Sequence, residues 1–499
     1  MNPWILLSVA LPSVAGILLL AVSFGEYIRG SEKAFTRGVQ VYTAAALALS
    51  ASVSLYTAWQ GEKECSLFEW LDGILVYFRI DALGRLMVTA VSIAWLLIGF
   101  YSLAYMGHEG KETRYFGFYL LLYGILTGLS FSGNLVTMYF FYELMTLVSM
   151  PLVLHSGSRE AVMAALKYLF YSMCGAYCGL FGMVFLYRYC HTLDFTAGGA
   201  LNLAAVQGHE GILLTAVFVM ILGFGAKAGM LPLHSWLPAA HPVAPSPASA
   251  LLSGTIVKFG ALAVIRTVYY VVGPGFLRGT WVQYVWMVLA LLTVFMGSLL
   301  AYREPVLKKR LAYSTVSQVS YILFGISLLV PDAVEGALLH MVVHAFVKCG
   351  LFLTAGVFIY RFGYTRVDRL GGLGRKMPVT LWCYTVFALA LTGIPPTGGF
   401  VSKWYLAEGA LQSGIPVFSW LGPVVLLVSA LLTAGYLFPV TIKGFFPGEE
   451  KDPGNGAKEE PSPLMLIPLM VLAALALLLG IMPNPLIRYI SQITLEVFS

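Results

Sequence analysis

Charge is scarce in this sequence. Only 11% of its 499 residues are Asp, Glu, Lys or Arg, against 59% with apolar side chains, whereas a soluble globular domain carries roughly 25% charge. That shortage excludes a water-soluble fold and makes the bilayer the solvent. Long alternations of polar and apolar residues are missing as well, while apolar stretches run to about twenty residues or more, so spanning helices are expected rather than a barrel.

Cysteine is nearly as rare. The six cysteines, at 65, 174, 178, 190, 349 and 383, form no CxxC pair, which excludes a regular disulfide framework and the zinc ribbons. Cys174 and Cys178 stand one helical turn apart, where small residues at a helix contact are a better explanation than half a metal site. A Walker motif is absent, and the glycines lie inside apolar spans rather than between a strand and a helix. No metal and no cofactor are therefore expected, and any oxidoreductase activity would belong to partner proteins. The net charge of +6 is spread over short loops rather than gathered on one face, which excludes nucleic acid as a partner. The first apolar stretch, Pro3 to Phe24, lacks a basic start and reads as a span, not as a cleavable signal.

What the chain has in abundance is oily segments. Spans are expected at 3–25, 38–58, 81–106, 115–131, 134–154, 161–190, 211–231, 246–273, 281–302, 311–330, 333–360, 379–412, 420–446 and 463–482. These fourteen make an all-α polytopic membrane protein. Loops after odd-numbered spans hold eighteen Lys and Arg, from Arg29 and Lys33 through Lys308 and Arg375 to Lys451 and Lys458; the opposite loops hold five, Lys63, Arg79, Arg188, Arg278 and Arg488. Basic residues collect on the cytoplasmic side, so the odd loops are expected in the cytoplasm and both termini on the other face of the cell's inner (plasma) membrane. Gly448–Pro463, rich in Glu, Lys, Pro and Gly, reads as a flexible cytoplasmic linker.

Of the 30 Lys and Arg, seven remain inside or at the edges of spans: Arg85, Lys167, Lys227, Lys258, Arg266, Lys348 and Lys403, joined by Glu143. A charge at the bilayer centre costs ~2.5–3.5 kcal/mol on insertion scales, so each needs a reason. For Arg85, Lys167 and Arg266 the expected reason is a place near a helix end or a side chain that snorkels to the headgroups. For Glu143, Lys227, Lys258, Lys348 and Lys403, set among Phe, Gly, Leu and Met, an ion pair or a function is expected. Lys167, His234 and His241 are accessory candidates.

Two of the lysines sit in spans that cannot be regular. Lys227 precedes a run containing Pro232 and Pro238, and Lys403 follows Gly393-Ile394-Pro395-Pro396. Proline removes a backbone donor, so both spans are expected to break there, and broken helices at membrane depth are tolerated where they line a polar cavity. His340, His344 and Lys348 follow one another at intervals of four, which stacks them on one helix face; such a face suits a proton wire, with haem or metal ligation by the histidine pair as the rival reading. The breaks fall in the fourth span of each of two five-span sets. Residues 1–113 would then hold three leading helices, 114–280 and 281–446 two inverted repeats, and 447–499 the linker and last span.

Several segments together resemble the antiporter-like subunits shared by respiratory complex I, membrane-bound hydrogenases and Mrp-type cation/proton antiporters. They are Tyr139–Met145, Ala226–His241, Lys309–Gln318, His344–Lys348 and Gly393–Phe400. The resemblance implies a proton relay in which Glu143 pairs with Lys227, Lys258 leads inward, the His340–His344–Lys348 face continues the axis and Lys403 ends it. It also implies other membrane subunits as partners, and H⁺, alone or against Na⁺, as the cargo. Lysine at 403 together with Gly374–Pro378 is similar to the D component of Mrp antiporters and to related hydrogenase subunits. The alternatives are a non-transporting structural subunit and an organic-solute carrier, which needs fewer in-line ionisable groups.

Overall fold

The computed structural model describes residues 2–28, 37–71, 73–448 and 458–498. Most of the expected linker, with Lys451, and the loop holding Arg29 and Lys33 lie outside them. In chain order the elements are α1 (Pro3–Ile28), α2 (Arg37–Ala58), β1 (Glu64–Leu71), β2 (Ile74–Arg79), α3 (Ala82–Glu109), α4 (Glu112–Ser130), α5 (Leu135–Val153) and α6 (Arg159–Tyr189). They continue with α7 (Glu210–Ala228), α8 (Leu237–Val243), α9 (Ser246–Val272), α10 (Trp281–Arg303), α11 (Leu307–Ser327) and α12 (Pro331–Phe362). The last five are α13 (Pro378–Thr392), α14 (Gly398–Gln412), α15 (Phe418–Phe445), α16 (Pro463–Ile481) and α17 (Asn484–Phe498). Among the described residues, eleven helices are long and apolar enough to cross a membrane. The expected spans at 115–131, 311–330 and 379–412 are helical too, as α4, α11 and the pair α13/α14, but are shorter or more polar.

Polar side chains start several helices. Asp81, Asn134 and Ser158 cap α3, α5 and α6 by accepting from the backbone amides of Gly84, Thr137 and Ala161, which satisfies donors the first turn would leave orphaned. The two expected breaks are present. Helix α7 stops at Gly229 (φ +81°) and α13 at Gly393 (φ +91°), left-handed positions that glycine takes without a Cβ clash. Pro232, Pro395 and Pro396 lie in the breaks themselves. Pro238 does not: it stands in the first turn of α8, where its missing N–H is no loss.

Connections segregate to two ends of the molecule. At one end His155 Nε2 donates to the Gly110 carbonyl (2.9 Å), Lys308 Nζ to that of Ala244, and Arg361 to that of Glu460 (2.6 Å). At the other end the Arg79 amide donates to Phe131 (2.7 Å), that of Thr196 to Tyr270 (3.0 Å), and the Arg278 guanidinium to Leu329 (2.9 Å). Loops following odd-numbered spans thus meet one another, as do those following even-numbered ones. Helix α4 leaves from the first end and α10 from the second, so the two five-span sets are threaded in opposite senses.

Two features lie outside the expected spans, and the first of them is not helical. The β1–β2 hairpin, paired from Glu64↔Arg79 to Leu71↔Ile74 with register shifts between Ser66 and Phe68 and between Glu69 and Leu71, buries Cys65 and Phe78 against Ile5, Val88 and Phe131. Helix α17 buries Ile490, Ile493, Thr494 and Val497, the i, i+3, i+4, i+7 stripe of a helix lying on a surface. It is tied down by Tyr489 donating to the Ala82 carbonyl (2.8 Å) and Thr494 to Glu335 (3.1 Å).

At the centre are α9 and α12. Their most apolar windows are 100% and 94% buried, against 28% for α2 and 33% for α16, so whatever charges α9 and α12 carry are enclosed by protein rather than lipid. Arg266 on α9 overturns the expectation that it snorkels. It is 1% exposed, its guanidinium makes a bidentate pair with Asp81, and the Phe195 and Tyr270 rings each lie 4.7 Å away. A carboxylate delivered by the start of α3 neutralises the charge in place, so no excursion to the headgroups is needed. Arg85, by contrast, stays near its helix start, donating to the Ala58 carbonyl (2.7 Å).

Removing one member of such a pair strands the other, at a cost of ~3–5 kcal/mol. Asp81→Ala is therefore expected to lower the thermal stability of the purified protein sharply, and adding Arg266→Leu to recover much of the loss. Equal melting temperatures for the single and double variants would contradict this account.

Candidate functional site

The buried ionisable residues fall into two groups. In the first, Lys227 on the last turn of α7 is 1% exposed and donates to Thr146 Oγ1 on α5. The Tyr142 and Tyr168 rings lie 5.4 and 5.0 Å from its ammonium, where their faces favour a cation. Trp236 in the break donates to the Ala226 carbonyl (2.9 Å), which folds the break back over the lysine's own turn. Glu143, half-buried on α5, accepts from Tyr139 (2.9 Å). Glu143 lies within electrostatic reach of Lys227, but among the described residues no ion pair at contact distance joins them; Glu143 is hydrogen-bonded to Tyr139 and Lys227 to Thr146. Glu143 and Thr146 are three residues apart on α5, hence neighbours on one face.

The second group is larger. Helix α9 opens into wide π-type turns over Leu252–Ile256, a departure that loosens the regular hydrogen-bond ladder, and the Ser253 carbonyl accepts from Lys258 Nζ. Ser253 Oγ in turn pairs with Thr315 Oγ1 on α11 (2.6 Å). On α12 the rings of His340 and His344 stack 5.6 Å apart, as their spacing requires. Lys348, one turn further, turns to α11, where it donates to Ser314 Oγ (2.8 Å) and the Leu311 carbonyl (3.0 Å). His340 Nδ1 pairs with Ser402 (3.0 Å) and its ring stacks on Tyr321 (5.4 Å). Lys403 donates to the Leu391 and Thr392 carbonyls freed at the end of α13 (2.6 and 3.1 Å), with its ammonium 5.0 Å from the same Tyr321 ring. His344 sits within electrostatic reach of Lys258, Lys348, His340 and Lys403.

Hydrogen-bonding capacity is left over along this axis. Both ring nitrogens of His344 and of His241, Nε2 of His340, and both amide atoms of Gln318 are buried without a protein partner, whereas buried polar atoms in folded proteins are nearly always paired. Between the groups, Gly260 of α9 comes within 2.6 Å of the Ala228 amide, measured from where its Cβ would stand. That approach brings α9 directly against the turn bearing Lys227, yet no hydrogen bond or ion pair joins Lys227 to Lys258 among the described residues.

The accessory candidates fare differently. His241 is buried and stacks on Phe352 of α12 (4.6 Å). His234 is half-buried in the first break, within reach of Lys167. Lys167 itself is exposed on α6, its ammonium 6.0 Å from the Tyr171 ring. Sequence reasoning missed Thr146 and the polar face of α11. Ser314, Gln318 and Tyr321 are spaced four and three apart, a one-faced helical pattern that could have been found.

Comparison with known proteins gives the following. Residues 132–433 match the family model described as NADH:quinone oxidoreductase/Mrp antiporter, TM, and residues 73–116 match NADH-Ubiquinone oxidoreductase (complex I), chain 5 N-terminus. The chain is 33% identical over 479 residues to the N component of the NADH-quinone oxidoreductase of Desulforudis audaxviator, covering 92% of this chain and 93% of that one. It is 28% identical over 499 residues to the D component of the Na(+)/H(+) antiporter of Bacillus subtilis, covering 99% and 96%. Its fold superposes on a chain of the Mrp complex from a Dietzia species with a TM-score of 0.84 at 23% identity, over 100% of this chain and 98% of that one.

A hydrogen bond to a charged group contributes ~1.5–3 kcal/mol, so Thr146→Val is expected to destabilise the purified protein by about that amount and Thr146→Ser hardly at all. Unfolding curves of the two variants read this directly. A Val variant as stable as the parent would mean that Lys227 does not depend on the hydroxyl.

Proposed function

Because the chain belongs to the NADH:quinone oxidoreductase/Mrp antiporter membrane family, we propose that it translocates protons, alone or in exchange for Na⁺, as one subunit of a larger membrane complex. The observation that carries this is the enclosure of Lys258, His340, His344 and Lys348 on the two most buried helices, with Lys348, His340 and Lys403 all contacting Ser314 or Tyr321 of α11. The residues that act are Glu143, Lys227, Lys258, His340, His344, Lys348 and Lys403. Residues 114–280 and 281–446 act as inverted repeats, each contributing one broken helix and one half of the path.

The chain's own chemistry is proton holding and release. With Lys227 on Thr146 and Glu143 on Tyr139, the first pair stands apart. A short swing across one turn of α5 would join them, and at ~4 Å with an effective dielectric near 20 the attraction is worth roughly 4 kcal/mol. Closure holds the ammonium; opening releases its proton across the Gly260 contact toward Lys258. From there the stacked imidazoles, Gln318 and water carry it along α11 and α12 to Lys403. Partner subunits supply the driving force, and the redox chemistry, where there is any, is theirs.

Lys227→Ala and Glu143→Gln are expected to abolish proton translocation in vesicles while the complex still assembles; full transport by both would refute the relay. Orientation is a separate matter. The eighteen-to-five distribution of basic residues puts the odd loops in the cytoplasm. Reporter fusions at 111 and 375 should then read cytoplasmic, and fusions at 62 and 278 non-cytoplasmic; the reverse pattern would invert the proposed topology.

A further inference from the structure

The inner groups of the relay, Lys258, His340, His344 and Lys348, are buried, so protons need a way in from the water. At the end of the molecule where α3 finishes, Glu109 is exposed while Tyr105, one turn earlier, is 1% exposed. The Tyr105 hydroxyl lies 3.1 Å from Glu109 Oε1 and 3.3 Å from Ser246 Oγ. One O–H thus has two acceptors, one at the surface and one wholly buried at the start of α9. Tyr101 and Tyr360 pack on Tyr105 at ring separations of 5.7 and 6.0 Å and enclose this contact in aromatic walls. Just inside, Lys308 pins the turn between α8 and α9 through the Ala244 carbonyl. His241, with both ring nitrogens unpartnered, lies within electrostatic reach of Lys308 and also of Lys258 and Lys348.

We propose that Glu109, Tyr105 and Ser246 form the proton inlet of this chain, delivering to His241 and so to Lys258 and Lys348. A proton captured from water turns the Glu109 carboxylate into an acid. That acid protonates the Tyr105 oxygen as the Tyr105 proton passes to Ser246 and the Ser246 proton goes on, by a bridging water, to the unpartnered His241 imidazole. Each hydroxyl holds one proton before and after, and the carboxylate is restored. Hydroxyls working this way need no charge of their own, which suits a passage through buried protein where an added ion would be costly. Glu109 stands at the face that the basic loops mark as cytoplasmic, and the inlet rests on the relay reading of the site.

The test uses the assembled complex in inside-out vesicles, with proton translocation followed by a pH-sensitive dye at low and high concentrations of impermeant morpholinoethanesulfonate buffer. Glu109→Gln is expected to run about tenfold slower at low buffer, equivalent to ~1.4 kcal/mol of barrier, and to recover as mobile buffer takes over delivery. Tyr105→Phe is expected to be slow at both concentrations, and Lys258→Ala inactive at both. Glu109→Gln or Tyr105→Phe at the parent rate beside an inactive Lys258→Ala would place the inlet elsewhere. A slow Glu109→Gln that ignores buffer would overturn the inlet in favour of a structural tie. An active Lys258→Ala would instead defeat the relay itself.

Discussion

The interior of this protein is governed by the expense of holding an ammonium or guanidinium away from water. Born solvation makes an isolated buried ion prohibitive, and the structure meets each charge with local dipoles rather than with a matching number of carboxylates. Lys227 has a threonine and two tyrosine faces, Lys258 a carbonyl in a widened helical turn, Lys348 a serine and a carbonyl, and Lys403 two carbonyls at a broken helix end. Among the buried cations of the described residues, only Arg266, which can never give up its proton, has a carboxylate at contact distance. The division is chemically sensible: neutral partners hold a lysine without locking its proton in place, whereas a buried carboxylate at contact distance would.

That constraint explains why the irregular backbone sits where it does. Helix ends and wide turns expose carbonyls that a regular ladder would consume. The Leu391 and Thr392 carbonyls exist as acceptors because α13 ends at Gly393, and the Ser253 carbonyl because α9 widens there. The prolines and glycines of the two breaks and the lysines beside them are therefore one device, and α11 supplies its hydroxyl wall.

Much of this was legible in the linear sequence because charge in an oily run, and proline within it, are conspicuous against a uniform background. The spans, both breaks and the four-residue rhythm of His340, His344 and Lys348 follow from that contrast. What escaped reading depends on residues far apart in the chain. Asp81 meets Arg266 across 185 positions and Thr146 meets Lys227 across 81, and no local pattern announces such meetings. The hairpin and α17 escaped because hydropathy detects only segments that are apolar on all sides, and these are apolar on one. Tyr321 escaped because an aromatic residue in a span ordinarily signifies packing, while here its ring is shared by a lysine and a histidine.

Helix α17 has a further bearing on biosynthesis. Its Tyr489 hydroxyl closes onto Ala82, 407 residues upstream, and its Thr494 onto Glu335. The helices it clasps precede it in the chain and reach the membrane long before it leaves the ribosome, so this end of the bundle stays unlatched until then. The spans up to α16 therefore have to hold together without that clasp until α17 has emerged and folded onto them.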